Sequence, residues 1–415
     1  MNIGQERNCR VCRRELVSVF NMGALRLSSF PIDDEVLPSS PLDFCRCPHC
    51  GLVQLRHTVA PSALFTKYWY LSGVNETMRA ELADVVADGI AHLGNLDDGD
   101  TVVDIGANDG TLLAAYADKG RSVYRVAYEP AENLQEALER HSDVQLPTYF
   151  PEGYLPASGS VSLLTSIACF YAVDDPMLFV AAVDDALSER GLWILQFQDL
   201  SQMLGATAFD DICHEHIFYP SLASIARMLE PFDLTIVDAS RRAINGGSLR
   251  VIVGRRWRQT ASRVTALYGM ERGCESPTTL RRFAERVSGI RESICDALDG
   301  EPGVVDLYGA STKGNTLLQY CDLGPDRLRR AWERSPEKWG RRTVTGIPIV
   351  SEADGRRDAP EMLFVGIWQF RDAILKRERA YLNDGGRFLF PLPKVEVLGG
   401  VRENLGARAD EAQVG

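Results

Sequence analysis

The sequence predicts an α/β protein that builds a doubly wound sheet twice, behind a small cysteine-rich segment. Three observations carry this. Apolar runs of strand length alternate with helical segments, the pattern of a parallel sheet. In two separate places a strand runs straight into a glycine turn and a helix. Two CxxC knuckles crowd the N-terminal end. At 415 residues the chain exceeds one typical core, so two to three domains are expected.

Composition excludes several classes. With 25% charged and 45% hydrophobic residues the chain reads as globular rather than disordered. Its net charge of -12, with no basic run, is the wrong sign for a nucleic-acid binder. No apolar stretch approaches the length of a membrane span, and the polar, cysteine-bearing start is unlike a signal peptide, so a cytoplasmic protein is expected.

Of the ten cysteines, five lie in the first 50 residues. Cys9 and Cys12 form one knuckle, Cys47 and Cys50 the other, followed by apolar Gly51 to Leu55. Four thiolates close a tetrahedral structural zinc site and leave no position for a catalytic water. Cys45 and His49 lie near enough to substitute but are read as bystanders. A redox CxxC normally comes singly, opening a helix after a strand. The zinc is therefore read as a staple for a segment too small to have its own core.

Next come helical residues from Ala63 to about Leu96, interrupted by Tyr68-Trp69-Tyr70-Leu71-Ser72-Gly73, an aromatic cluster read as core packing or a lid. Thr101 to Ile105 reads as a buried strand, Gly106 to Thr111 as a glycine turn, and a helix follows from Leu112. This is a ligand-binding device in which glycine lets backbone approach the ligand. The next strand, Val123 to Tyr128, ends at Glu129, an acid suited to ribose hydroxyls. The turn lacks the full pyrophosphate fingerprint and has no P-loop lysine. A cofactor without phosphates, S-adenosylmethionine, fits it best. The alternation continues with a strand at Val161 to Cys169, a helix at Asp174 to Glu189 and a strand at Leu192 to Phe197, with Gln196 near its ligand-facing end. A helix at Leu222 to Leu229, a strand at Leu234 to Asp238 and a final strand through Val251 to Val253 complete the sheet with an antiparallel pair.

Between these elements lies Asp210 to Tyr219, containing His214-Glu215-His216. As an extended segment it would put both imidazoles on one face and Glu215 on the other. Imidazole is the side chain best suited to move a proton near neutral pH. Phe218 occupies the place of the second ligand of an HExxH zinc helix, so that motif is absent. The competing reading is an inert polar turn. Residues 257 to 300 read as helical and lead to a second strand, glycine turn and helix at Val304 to Thr316. Lys313 there suits a phosphate-bearing ligand, and a plain helix cap with a solvated lysine is the competing reading of equal standing. Strands at Met362 to Ile367 and Arg387 to Phe390 extend that sheet.

Taken together, CGLVQL, YWYLSG, DIGANDGTLL, HEHIFY, NGGSLR, YGASTKGNTLLQYC and FLFPLP resemble the sugar C-methyltransferases, which act on nucleotide-linked keto-deoxysugars in antibiotic and polysaccharide pathways. The resemblance spans nearly the whole chain. It implies a zinc-binding domain (residues 1–62), a class I methyltransferase Rossmann-like domain (63–256), a C-terminal Rossmann-like nucleotide-sugar-binding domain (257–405) and a flexible tail (406–415). Asp104, Gly106, Asn108, Gly110, Glu129 and Gln196 are then expected at the cofactor, and Tyr70, Asn245, Ser248, Arg250, Lys313 and Asn315 at the substrate. His216 and Glu215 match the family's proton-abstracting pair, with His214 as auxiliary. Two departures stand out: Cys213 replaces a tyrosine before HEH, and Trp368-Gln369-Phe370 replaces Trp-His-Phe.

The implied reaction is C-methylation next to a 4-keto group, since carbon becomes nucleophilic once a proton beside a carbonyl is removed. His216 takes the proton, and Tyr70, His214 or Asn245 stabilises the enolate oxygen. Methylation of a sugar oxygen or nitrogen is the alternative within enzymes, and a non-catalytic zinc-dependent binding or scaffold protein the alternative outside them. The expected partner is a nucleotide-linked keto-sugar, with no nucleic acid and no membrane, and a monomer or small homo-oligomer is expected.

Overall fold

A computed structural model describes residues 3–32 and 35–400. The expected tail at 406–415 lies outside the described residues. In chain order the main elements are β1 (Val17–Arg26), β2 (Ser39–Arg46), β3 (Val53–Leu55), α1 (Glu76–Leu93), β4 (Thr101–Ile105), α2 (Thr111–Asp118), β5 (Tyr124–Tyr128), β6 (Val144–Leu146), β7 (Val161–Ile167), α3 (Pro176–Ala186) and β8 (Leu187–Gln198). There follow β9 (Phe218–Tyr219), α4 (Leu222–Leu229), β10 (Leu234–Arg242), β11 (Ser248–Arg255), α5 (Ser262–Met270), α6 (Pro277–Asp299), β12 (Val305–Tyr308), α7 (Thr312–Tyr320), β13 (Ala331–Glu333), β14 (Ile349–Ser351), β15 (Met362–Val365), β16 (Arg387–Phe390) and β17 (Glu396–Gly399). The chain divides into two compact units. The first comprises Met1–Ala24, Ser39–Leu204 and Ile212–Phe283, and the second Leu25–Pro38, Gly205–Asp211 and the chain from Ala284 on.

The first unit holds a seven-stranded sheet in the order β10-β11-β8-β7-β4-β5-β6. Its β4, β5, β6, β7 and β8 run parallel, while β11 is antiparallel to both β8 and β10. This is the expected doubly wound sheet with its antiparallel closing pair. Both faces are covered, and β8 shows how the sequence achieves it. Trp193, Leu195 and Phe197 enter one core with Phe179, Val180 and Val183 of α3. Leu192 and Ile194 enter the other with Leu82, Val85 and Val86 of α1. Strand alternation sends successive side chains to opposite faces, so a strand apolar at nearly every position is buried on both. Helix α1 lies close to the sheet because residue 89 is glycine: a Cβ there would stand 2.6 Å from Leu163 Cδ2. Asn75 caps it by accepting the Thr77 N–H.

The cysteine segment forms a second sheet of the same unit, ordered β9-β3-β2-β1. Its edge strand β9 comes from Phe218–Tyr219, far along the chain, and pairs antiparallel with β3. The second unit carries a sheet in the order β14-β13-β12-β15-β16-β17, parallel except for β17. It has the Rossmann-like character expected for the C-terminal block. No helix among the described residues is long and apolar enough to cross a membrane.

Candidate active site and zinc cluster

In a doubly wound sheet, ligands gather where the strand order reverses, at the carboxyl ends of the strands. In the first unit this point lies between β4 and β7. Gly106, Asn108 and Gly110 all take left-handed conformations there, with φ of 72°, 53° and 79°. The turn is anchored to β5 through the Gly106 N–H, which donates to the Tyr128 carbonyl at 2.9 Å. Glu129, buried just after β5, accepts the Asn108 N–H on Oε2 at 2.9 Å and the Ala131 N–H on Oε1 at 2.8 Å. Each carboxylate oxygen retains lone-pair capacity for a ligand hydroxyl. Beneath the turn, Asp104 accepts the Thr165 hydroxyl at 2.7 Å. Burial pushes the Asp104 carboxyl up to about 7, against that hydrogen bond, and Glu129 adds to the rise.

The aromatic cluster is stitched to this turn by backbone groups. Asn108 accepts the Ser72 N–H at 3.0 Å and donates to the Tyr70 carbonyl at 3.0 Å, while Asp109 accepts the Gly73 N–H at 2.7 Å. Tyr70 is 40% exposed. These bonds order the 70–73 segment over the glycine turn, the placement a lid requires.

The HEH segment is not extended. The His216 N–H donates to the Cys213 carbonyl at 3.0 Å, which closes a turn around His214 and Glu215. Strand β9 begins only at Phe218. Strand alternation therefore does not apply to the motif, because so short a polar stretch carries too little periodicity to separate strand from turn. The turn makes the two imidazoles unequal. His214 is 6% exposed, and its Nε2 lies 2.9 Å from the Ser40 carbonyl of β2. Only a protonated Nε2 can donate to that oxygen, which fixes the tautomer of the neutral ring. Burial lowers the His214 pKa to about 4, against the Ser40 bond. His216 packs instead against Tyr171, with ring centroids 4.3 Å apart and planes at 61°. Tyr171 follows the end of β7, and its carbonyl accepts the Ile217 N–H at 3.0 Å.

Tyr68 joins the two regions. Its phenol is buried, which holds its pKa well above the usual value, and the charges of Glu215, Tyr171, Cys213 and Glu129 raise it further. One phenol thus stands in the field of both the HEH turn and the cofactor-side acid. The sequence offers Tyr68 only as part of the aromatic cluster read as core packing or a lid, and does not single out Tyr171. A tyrosine one turn beyond a strand's carboxyl end was the available signal for Tyr171.

The cysteine segment holds the turn. The Leu55 N–H donates to the Ile217 carbonyl at 2.8 Å, β3 pairs with β9, and Phe44 meets Tyr219 edge-on at 4.9 Å. The four Sγ atoms of Cys9, Cys12, Cys47 and Cys50 all lie within 4.8 Å of one another. Cys9 to Cys50 is 3.5 Å and Cys12 to Cys47 is 3.4 Å. Tetrahedral zinc–thiolate bonds give sulfur separations of about 3.8 Å, so the cluster fits that ion. Cys45 is buried beside Asp43 and His49 is exposed, and neither joins the cluster.

The remaining candidates divide. Gln196 and Arg250 face each other across β8 and β11, and Arg250 Nε donates to Gln196 Oε1 at 2.9 Å. The Arg250 guanidinium, 1% exposed, also meets Glu81, Asp84 and Asp88 of α1 at 2.8, 2.8 and 2.5 Å. Its donors are engaged within the protein. Ser248 donates to the Ile244 carbonyl at 3.1 Å, and Asn245 takes a left-handed φ of 54° in the turn before β11. In the second unit, Lys313, in the first turn of α7, pairs with Asp211. Asn315 donates to Ser28 Oγ at 3.1 Å and to the Ser29 carbonyl at 3.0 Å, and accepts the Val344 N–H at 3.3 Å.

Three family models match the chain in series. A "Putative zinc binding domain" covers residues 9–65, a methyltransferase domain 75–239, and a C-methyltransferase C-terminal domain 243–393. The C-methyltransferase NovU of Streptomyces niveus is 29% identical over 408 residues, covering 94% of this chain and 96% of its own. Among solved structures, a S-adenosylmethionine-dependent methyltransferase from Clostridium acetobutylicum is 11% identical. It covers 44% of this chain and 92% of its own with a TM-score of 0.35. The geranyl diphosphate C-methyltransferase of Streptomyces coelicolor A3(2) is also 11% identical, covering 43% and 80% with a TM-score of 0.36. The glycine turn with its acid, the fitting thiolate cluster, and three domain models in one order agree: the chain is similar to a C-methyltransferase along nearly its whole length and is an S-adenosylmethionine-dependent methyltransferase.

Proposed function

We propose that the protein methylates a carbon next to the 4-keto group of a nucleotide-linked deoxysugar, with His216 as the base. The observation that carries this is the asymmetry of the HEH turn. His214 is committed to the Ser40 carbonyl, whereas His216 stands against Tyr171 on the same turn whose Glu215 shares the field of Tyr68 with Glu129.

In this reading Gly106, Asn108, Gly110 and Glu129 hold the cofactor, with Glu129 accepting from ribose hydroxyls. Bound there, S-adenosylmethionine supplies an electrophilic methyl on a sulfonium sulfur. The chain's own work is proton movement and positioning. His216 removes the proton from the carbon beside the carbonyl, and Glu215 supports the imidazolium that results. Tyr68, whose raised pKa keeps the phenol protonated, is suited to donate to the enolate oxygen. It takes a place in the network that Cys213, a weak donor, fills poorly. The lid segment Tyr70 to Gly73 excludes water from the carbanion.

Solvent-deuterium exchange at that carbon, followed by NMR without cofactor, tests the proposal. The wild type is expected to catalyse exchange, and His216→Asn to lose it by about 100-fold or more while retaining S-adenosylhomocysteine binding in calorimetry. Exchange at the wild-type rate in His216→Asn removes His216 from the role. Absence of exchange in the wild type, with methyl transfer intact, points to oxygen or nitrogen as the acceptor.

A further inference from the structure

Three arginines in and beside the first cysteine knuckle reach one loop, the one that joins β7 to α3 and carries Tyr171. Arg7 and Arg10 pair with Asp174 at 3.2 and 3.5 Å, and Arg13 pairs with Asp175 at 2.6 Å. The Arg7 and Arg13 pairs are exposed at the surface, where an ion pair contributes little. Arg10 is different, with a side chain 1% exposed. A guanidinium is taken out of water at a cost that only well-placed acceptors offset, so the destinations of its donors define what it does.

Those destinations close a ring around the HEH turn. Arg10 Nη1 donates to the Leu55 carbonyl of β3 at 2.7 Å. The N–H of the same Leu55 donates to the Ile217 carbonyl at 2.8 Å, and the Ile217 N–H donates to the Tyr171 carbonyl at 3.0 Å. Three residues beyond Tyr171, Asp174 Oδ1 accepts the Thr58 hydroxyl at 2.9 Å and lies 3.5 Å from Arg10 Nε. Thr58 in turn accepts from Arg10 Nη2, which completes the circuit. Only a planar fork can serve Leu55, Thr58 and Asp174 at once; a lysine is a single point of charge. The knuckle's backbone is set in the same place by buried Gln54, which accepts the Arg10 N–H at 2.9 Å and donates to the Asn8 carbonyl at 3.3 Å.

The ring passes through the neighbours of both rings that meet at the site. Ile217 follows His216, and Tyr171 is the residue whose ring stands 4.3 Å from the imidazole. Tyr171 is thus held on one side by Ile217 and on the other by the anchored Asp174. We propose that Arg10 is a positioning residue for the candidate base: by closing this ring it fixes Tyr171 against His216, so that the first knuckle sets the orientation of the imidazole. The consequence for rate rests on the reading of His216 as the base.

Two substitutions open the ring without touching Arg10, His216 or Tyr171. Thr58→Val removes the bridging hydroxyl with no change of charge, and Asp174→Asn removes the anion but leaves an acceptor for Thr58. In full-length protein with carbon-13-labelled histidines, NMR reads the ring-current shift that Tyr171 imposes on His216. In both variants the His216 signal is expected to move toward that of an exposed histidine, while that of His214, bonded to Ser40 outside the ring, stays in place. Carbon-proton exchange without cofactor is expected to slow about tenfold, with S-adenosylhomocysteine affinity and zinc content unchanged. Asp175→Asn alters the adjacent pair with Arg13 but keeps an acceptor for the Leu178 N–H, and is expected to leave both readouts at the wild-type level. An unmoved His216 signal, wild-type exchange in the folded ring variants, or an equal loss in Asp175→Asn overturns the assignment. Loss of zinc or of S-adenosylhomocysteine binding in both ring variants overturns it as well, because Arg10 then serves folding alone. If the wild type itself shows no exchange, the reading of His216 as the base falls, and the His216 signal alone decides whether the ring positions it.

Discussion

His214 and His216 are two residues apart, yet their surroundings give them different chemistry. His214 is buried with Nε2 on a carbonyl, and burial lowers its pKa from 6.5 to about 4. A base must gain and lose a proton near working pH, and His214 is poorly suited to it. It is a positioning residue that ties the turn to β2. Its lowered pKa has a consequence for stability. Because the neutral ring is favoured in the fold, its contribution is fully present above the unfolded pKa, about 6.5. That contribution is lost as pH falls toward 4. His214→Gln keeps a donor for Ser40 but does not titrate. We expect the fall in melting temperature between about pH 6.5 and 4 to be shallower in this variant than in the wild type. Parallel curves would show that His214 contributes no such linkage. The His-Glu-His motif is legible in the sequence. The division of labour is not, because it is set by Ser40 and Tyr171, partners distant in the chain.

At the scale of elements, the cysteine sheet is more than a staple for its own segment. By accepting β9 as its edge strand and giving the Ser40 carbonyl to His214, it forms the bed on which the HEH turn lies. Removing zinc by chelation is therefore expected to raise amide hydrogen exchange across 217–219 and to abolish carbon-proton exchange, while S-adenosylhomocysteine still binds. Unchanged protection at 217–219 after metal loss would mean the turn is held without the cluster. The sequence predicts the four thiolates, because CxxC spacing is dictated by coordination geometry. It cannot predict the β3–β9 pairing, which joins short strands far apart in the chain. Arg250, which the resemblance places at the substrate, has its guanidinium held by Glu81, Asp84, Asp88 and Gln196, partners that the local NGGSLR motif does not reveal. Arg250→Met is expected to lower stability by about 3 kcal/mol, the lower end of the range because Asp84 and Asp88 reach solvent. Denaturant unfolding measures it, and a change below about 0.5 kcal/mol would show that the cluster contributes little.

At the scale of the molecule, the chain uses one architecture twice. Each unit has a parallel sheet, a glycine turn and an acid at the end of the next strand, and the two are distinguished by what flanks the turn. The first has no lysine in its turn and suits a cofactor without phosphates. The second has Lys313 in the first turn of α7. Long apolar strands and glycine turns make both sheets legible, because their periodicity and φ requirements are local. Glu129 is legible because the strand preceding it is long enough to recognise. Glu333 is not, because its strand, three residues long, is too short to leave a pattern. Carbon methylation of a keto-sugar nucleotide is tested most directly with S-adenosylmethionine labelled with carbon-13 in its methyl group. After incubation with a panel of 4-keto-deoxysugar nucleotides, NMR should show the labelled methyl bonded to a ring carbon next to the carbonyl position. A label found on oxygen or nitrogen would rule out carbon as the acceptor.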